Sequence, residues 1–299
     1  MVSALQRRSA VRYLQRRYSV SERRGCEVTG TQRSTHRYRS VRPFQTALRG
    51  TIRDLAHSLI RYGYRHIHVL LKREGAYVNK KRVYRLYSEE GLQIRSMRPR
   101  RHVSVASRQP PRSKPPAPNV AWSTDFVSDQ LANGQRFRAL TVVDVFTREC
   151  LAIEPGQRLG GADVVNVLRR IAATRGAPRR IHCDNGSEFA SRLVDLWAYA
   201  NGVAMQFSRP GKPTDNAFIE SFNGSLRDEC LNVQWFDDLT DAKTKLQAWQ
   251  REYNESRPHR ALNELSPLEY RALWTQRRSE IRWLRGPRRA EHLLVGVCA

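Results

Sequence analysis

Three acidic residues, Asp125, Asp184 and Glu220, are the side chains in this sequence whose types and spacing could do chemistry. Carboxylate oxygens are hard ligands, and three of them converging on one spot suit two Mg²⁺ or Mn²⁺ ions about 3.5–4 Å apart. One ion would activate a water or a 3′-hydroxyl, and the other would stabilise the leaving oxygen. Phosphodiester chemistry requires such neutralisation, because its transition state adds negative charge to an anionic centre.

Each acid also has a plainer explanation. Asp125 lies within the strand-like segment WSTDFVS, on the face opposite Trp122 and Phe126, where a buried carboxylate is costly unless it is paired or metal-bound. Asp184 opens the turn that follows the segment RRIHC, and acids are common in turns. Glu220 could be an ordinary solvated residue on a helix. The chemical interpretation therefore depends on the elements that position the three side chains.

A run of alternating strand and helix patterns begins near residue 119. Asn133-Gly134 is a hairpin signal between the first two strands, and Gly176 and Gly202 end two helices. The order, three strands followed by alternating helices and strands, predicts an α/β fold with a mixed sheet covered by helices. The strand patterns are NVAWSTDFVSD, RFRALTVVDVFTREC, LAIEPGQ, RRIHCDNG and VAMQFSRPG.

The net charge of +25 is concentrated in the N-terminal part of the chain. Residues 1–120 hold 28 Lys and Arg against 6 Asp and Glu, a balance of +22, whereas residues 121–299 hold 25 against 22, a balance of +3. This asymmetry predicts a basic nucleic-acid-binding part joined to an ordinary globular part. A generally basic surface of the ribosomal-protein type is the alternative.

The basic part has helical periodicity. Residues 10–30 predict two short helices, the second opened by a capping box at Ser19–Glu22, which could form a helix-turn-helix or a plain helical hairpin. Residues 46–95 predict a further helical block whose last helix starts at the N-cap Asn79. Four basic residues crowd its first turns, as in a helix entering a DNA groove, although a solvated charged face would look the same. They are Lys80, Lys81, Arg82 and Arg85.

Five segments follow from these patterns. We expect a basic helical, helix-turn-helix-like segment (1–45), a basic helical DNA-binding domain (46–98), a Pro/Arg-rich linker (99–118), a catalytic core (119–275) and a basic tail (276–299). The five cysteines form no C-x-x-C pair, which disfavours a zinc site or a disulfide framework and fits a reducing cytosol. No signal peptide or apolar run of membrane-spanning length is visible, so a cytoplasmic protein without membrane association is expected.

Several long motifs also resemble a known family. RYGYRHIHVLLKREG, NKKRVYRLYSEEGL, WSTDFVSD, TVVDVFTREC, CDNGSEF, RPGKPTDNAFIESFNGSLRDECLN and YNESRPHRALNELSPLEY are similar to segments of the OrfB-type insertion-sequence transposases, which are related to retroviral integrases. The similarity spans about residues 10–272 of this sequence. The family triad of two Asp and one Glu falls on Asp125, Asp184 and Glu220, with 35 residues between the last two.

The resemblance implies an RNase H-like core: a five-stranded mixed sheet with the first acid on its central strand. It implies a DNA transposase that uses two Mg²⁺ or Mn²⁺ ions, nicks double-stranded DNA at element ends and joins the freed 3′-hydroxyl to target DNA. It further implies a homo-oligomer on DNA and an upstream-frame helix-turn-helix partner, without which this chain could be inactive. The residues it suggests for DNA contact are Lys212, Asn216, Asn223 and Arg227.

Two features depart from the family pattern. Many relatives carry a second acid beside Asp144, where this sequence has Val145, and the segment from about residue 275 matches nothing in the family. Two other functions therefore stay open. One is a catalytically inactive DNA-binding remnant of a transposase. The other is an RNase H-like nuclease with another role, which would hydrolyse DNA without joining it.

Overall fold

The computed structural model describes residues 3–39, 44–93, 115–209 and 216–285, and the chain divides into two units, Met1–Leu48 and Arg49–Ala299. Residues 3–39 of the first unit form the helices α1 (Ala4–Tyr18), α2 (Glu22–Val28) and α3 (Arg33–Arg37). Val11 and Cys26 are buried between them. A Cβ atom on Gly25 would lie 3.3 Å from Val11, so the glycine lets α1 and α2 approach closely.

The predicted capping box at Ser19–Glu22 is wrong. Ser19 is instead the last residue associated with α1, with a left-handed φ of 53°. Ser21 caps α2 by accepting a hydrogen bond from the backbone N–H of Arg24. Both serines are good capping residues, and the left-handed turn between the helices decides which of them is used.

The second unit begins within α4 (Thr46–Ser58), which forms a three-helix block with α5 (Tyr64–Arg73) and α6 (Lys80–Glu89). The apolar stripes of the three helices supply its core: Ile52, Ile67, Leu71, Val83 and Leu86 are all at most 1% exposed. Asn79 caps α6 as expected, because its side chain accepts a 2.8 Å hydrogen bond from the Lys81 N–H.

A five-stranded mixed sheet follows, with strand order β3-β2-β1-β4-β5. The strands are β1 (Ala121–Gln130), β2 (Arg136–Asp144), β3 (Cys150–Gly156), β4 (Arg180–Cys183) and β5 (Ala204–Phe207). The first three strands are antiparallel, whereas β4 runs parallel to β1 and β5 runs parallel to β4. The turn at Asn133-Gly134 joins β1 and β2, and Gly134 has a φ of 80°. The predicted α/β fold with β1 at the centre is confirmed.

Helices cover both faces of the sheet. Helices α7 (Gly161–Arg175) and α8 (Arg192–Ala200) pack over Trp122 and Ile181, and α9 (Ala217–Leu226) and α10 (Leu239–Glu255) pack over Val127 and Ile153. The alternation along β1 therefore sends Trp122 to one layer and Val127 to the other, as its sequence pattern predicts. Asp125 points to the same side as Val127, under α9.

The last described helix, α11 (Pro267–Arg285), docks on the turn between β2 and β3. Arg271 pairs with the buried Glu149, and Phe146 contacts the rings of Tyr270 and Trp274. The helix crosses residue 275, where the core was expected to end. Most of the predicted linker and residues 286–299 lie outside the described residues. Within the described ranges, no helix is both long and apolar enough to cross a membrane.

Candidate active site

Asp125 lies in the middle of the central strand with its carboxylate half-buried. One oxygen accepts a 2.8 Å hydrogen bond from the Phe126 N–H, and the other accepts a 2.9 Å bond from the Asn223 side-chain amide. Burial raises the pKa of Asp125, and repulsion by Asp184 and Glu220 raises it further, against these two hydrogen bonds. Two negative charges are therefore close enough to Asp125 to raise its pKa.

Asp184 comes directly after β4. Because β1 and β4 are parallel and Ser123 is opposite His182, the sheet register places Asp184 beside Asp125. The side chain of Asp184 is exposed, and one of its oxygens accepts a 3.0 Å hydrogen bond from the Gly186 N–H. This bond closes a turn of the kind that Asp-Asn-Gly favours. Asp184 therefore also has the structural role in a turn that its sequence position suggests.

An ion pair between Glu188 and Arg138 connects the loop after Asp184 to β2. The Arg138 guanidinium also lies 4.1 Å from the centroid of the Phe126 ring. Its hydrogen bond to Glu188 holds the pKa of that carboxyl below its usual range. A Cβ atom on Gly186 would lie 3.0 Å from an Asp184 oxygen and 3.1 Å from a Glu188 oxygen. The space between these two carboxylates is therefore too narrow for a side chain at position 186 unless one of them moves.

Glu220 is exposed in the first turn of α9, and asparagines on either side of it fasten the helix to β1. Asn216 is buried, accepts a hydrogen bond from the Ser123 hydroxyl and donates to the Thr124 carbonyl at 3.2 Å. Asn223 holds Asp125, and its side-chain oxygen is 3.0 Å from the Thr141 hydroxyl. The position of Glu220 beside the strand is therefore fixed from both ends of its helix turn.

Comparison with known proteins identifies the family. Two integrase core domain families match residues 115–213 and 201–267, and an HTH-like domain family matches residues 45–101. The 31.7 kDa protein of insertion element IS407 from Burkholderia multivorans is 46% identical over 87% of this chain and 93% of its own length. The InsK protein of insertion sequence element IS150 from Escherichia coli, whose name describes it as a transposase, is 30% identical over 71% of this chain and 77% of its own length.

The chain belongs to the insertion-element transposase family. Among solved structures, a simian T-cell lymphotropic virus intasome aligns with 74% of this chain and 74% of its own, at a TM-score of 0.47 and 15% identity. The fold is established by the strand order and register of the chain's own sheet. The HTH-like match covers α4, α5 and α6, so it corresponds to the three-helix block.

The donor chemistry of the acidic site fits a hard divalent cation. In the part of the chain that the structure describes, no three His, Cys, Asp or Glu side chains are close enough to hold a metal ion as they stand. Asp125 nevertheless bears a burial cost and a repulsion from two further carboxylates, and a cation would relieve both. Oxygen donors without histidine or thiolate are the ligands that Mg²⁺ and Mn²⁺ prefer.

The residues expected to contact DNA occupy different environments. Lys80, Lys81 and Arg82 are exposed at the start of α6, and Arg85 is half-buried with its guanidinium 3.7 Å from Glu89. Arg227 is exposed and donates to the Ser128 carbonyl at 3.2 Å. Asn216 and Asn223 bond within the protein, as described above. Lys212 lies outside the described residues. DNA contact by each of these side chains stays a prediction.

Proposed function

We propose that this chain is an active DNA transposase that cuts and joins DNA strands through Asp125, Asp184 and Glu220. The observation that carries the proposal is the half-buried Asp125 carboxylate, whose pKa is raised by burial and by the charges of the other two acids. Such an arrangement opposes folding unless it serves a ligand of opposite charge. Two Mg²⁺ or Mn²⁺ ions bound to these carboxylates would activate the attacking oxygen and stabilise the leaving oxygen.

Each acid has its own positioning contacts. The Asn223 side-chain amide donates a hydrogen bond to one oxygen of Asp125, and the Phe126 N–H donates to the other. The ion pair between Glu188 and Arg138 holds the loop that carries Asp184. These contacts fix the acids on rigid elements before any substrate arrives, as catalysis by charge stabilisation requires.

The basic helical block supplies the attraction for DNA. The exposed Lys80, Lys81 and Arg82 at the start of α6 would contact phosphates or enter a groove. Affinity should then fall steeply with salt, by roughly 0.9 log units per log unit of salt for each phosphate neutralised. We expect double-stranded DNA carrying the element ends and the target to be the substrate. We further expect a homo-oligomer on DNA and an upstream-frame helix-turn-helix partner that contributes to end recognition.

Strand transfer on labelled DNA that carries the element's own ends tests this proposal. We expect joined products from the wild-type chain with Mg²⁺, and none from Asp184→Asn or without metal. Cleaved but unjoined DNA would indicate a nuclease of another role. Salt-sensitive binding without any metal-dependent product, even after the upstream protein is added, would indicate a DNA-binding remnant and contradict the proposal.

A further inference from the structure

Arg148, in the turn between β2 and β3, has an unusual backbone and an unusual side-chain environment. Its φ of 63° is in the left-handed region, which is costly for a residue with a Cβ atom. Its guanidinium lies 3.9 Å from the centroid of the Phe218 ring, close enough for a strong cation–π contact. Phe218 is on α9, two residues before Glu220. The arginine is therefore held against the helix that carries the third acid.

Asp144 is close enough to attract the charge of Arg148, but neither Asp144 nor Glu149, the two carboxylates of the turn, makes an ion pair with it. Asp144 is buried and accepts hydrogen bonds from backbone N–H groups and one hydroxyl, and Glu149 is buried and pairs with two other arginines. The donors to Asp144 are the N–H groups of Asn119, Phe146 and Thr147 and the Thr147 hydroxyl. No carboxylate lies within ion-pair distance of Arg148 among residues 3–39, 44–93, 115–209 and 216–279.

Four other half-buried arginines of the same unit differ from Arg148 in this respect. Arg138, Arg175, Arg257 and Arg271 each pair with a carboxylate. Burial lowers the pKa of Arg148, but a guanidinium stays charged in proteins. A half-buried, unpaired positive charge on a strained backbone is unfavourable. An anion that binds from outside the chain and pairs with Arg148 would offset this cost.

We propose that Arg148 binds a phosphate oxygen of the DNA that passes the start of α9. This inference rests on the proposed function, in which DNA is the substrate. With one face of the guanidinium against Phe218, its N–H groups along the edge stay available, and their fork matches the oxygens of a phosphodiester. The contact would position the DNA backbone near Glu220 and would carry no sequence information.

Salt titration of DNA binding tests this assignment with the full chain and a short random-sequence duplex. In Arg148→Gln, the slope of log affinity against log salt should become shallower by about 0.9, the value for one phosphate. Affinity at low salt should fall about tenfold, since hydrogen bonds to charged groups are strong. The matched control is Arg169→Gln on α7, an exposed arginine on the other side of the sheet, whose slope should equal that of the wild type.

Arg148→Gly separates binding from folding. Glycine relieves the left-handed backbone, so its melting temperature should not fall although DNA affinity does. Unchanged slopes in both variants, or lower melting temperatures without a change in slope, would show that Arg148 has a structural role and overturn the inference. If the wild-type chain itself bound no DNA, the proposed function would fail and this inference with it.

Discussion

Replacing Asp125 by asparagine should stabilise the metal-free protein while it abolishes catalysis. The wild-type carboxylate is half-buried and repelled by Asp184 and Glu220, so its pKa is raised above the ordinary value of 3.8. A group with a raised folded-state pKa stabilises the fold below the unfolded pKa, and this contribution is lost as pH rises through the folded pKa. At neutral pH the charged form therefore opposes folding, and a neutral side chain removes that cost.

The hydrogen bonds around residue 125 can survive the substitution. An asparagine oxygen still accepts from the Phe126 N–H, and its amide can donate to Asn223 if the Asn223 amide flips. The flipped Asn223 then donates to the Thr141 hydroxyl, which can in turn donate to the carbonyl of residue 125 at 3.0 Å. No buried polar atom is left without a partner, so the electrostatic gain should prevail.

We expect the gain to be about 1 kcal/mol, since desolvating a polar group costs roughly 1–3 kcal/mol and this carboxylate is only half-buried. For a unit of this size, about 1 kcal/mol raises the melting temperature by roughly 2–4 °C. Thermal melts of Asp125→Asn and wild type in chelator should show this difference at neutral pH, and it should shrink as pH falls towards 3.8. Mn²⁺ should raise the melting temperature of the wild type alone. A variant that is less stable than the wild type at neutral pH would refute the reasoning.

Three further outcomes follow from the site and its supports. Gly186→Ala should lower metal-dependent joining at least tenfold, because its Cβ would crowd the carboxylates at 3.0 and 3.1 Å; activity near the wild-type level would contradict this crowding. Reversing either charge of the Arg138–Glu188 pair should raise the Mn²⁺ concentration needed for half-maximal activity, and reversing both should restore it. Arg257→Ala should destabilise the protein by about 3–5 kcal/mol in denaturant titrations, since it leaves the mostly buried carboxylate of Glu229 unpaired. Adding Glu229→Gln should recover much of that loss.

The sequence patterns predicted the local structure that positions the acids. Alternation along β1 assigned Asp125 to the face opposite Trp122, and the structure agrees because Trp122 packs under α7 and α8 while Asp125 lies under α9. Asn79 was predicted as an N-cap, since capping depends on residues two or three positions away. Where neighbours in sequence decide the structure, the sequence was sufficient.

Contacts between distant segments could not be predicted. Nothing in the strand pattern indicates that Arg138 pairs with Glu188, fifty positions later, and the glutamate of CDNGSEF was the one available signal. Asn216 and Asn223 both bond to β1, which their sequence pattern did not indicate, and their predicted contact with DNA stays a prediction. Polar residues at the start of a helix have the same sequence signature whether they contact a ligand or the protein.

The motif YNESRPHRAL also acquires a physical role only from the fold. Its Arg257 makes a bidentate ion pair with Glu229, which lies in the π-helical turn after α9, with contacts of 2.6–3.1 Å. The same guanidinium lies 5.5 Å from the centroid of the Tyr253 ring and 6.0 Å from that of Tyr62, just before α5. The arginine therefore joins the end of the Glu220 helix to α10 and to the helical block, which no periodicity in the sequence indicates.

Metal-specificity exchange tests most directly the claim that these acids hold divalent ions. Strand transfer would be measured for Asp125→Cys and Asp184→Cys with Mg²⁺ and with Mn²⁺, beside Asp129→Cys on the same strand as a control. A thiolate is a poor ligand for Mg²⁺ and a better one for the softer Mn²⁺. We predict that both triad variants lose activity with Mg²⁺ and regain it with Mn²⁺, while the control responds to the two metals as the wild type does. Full activity of either triad variant with Mg²⁺ would contradict metal ligation by that residue.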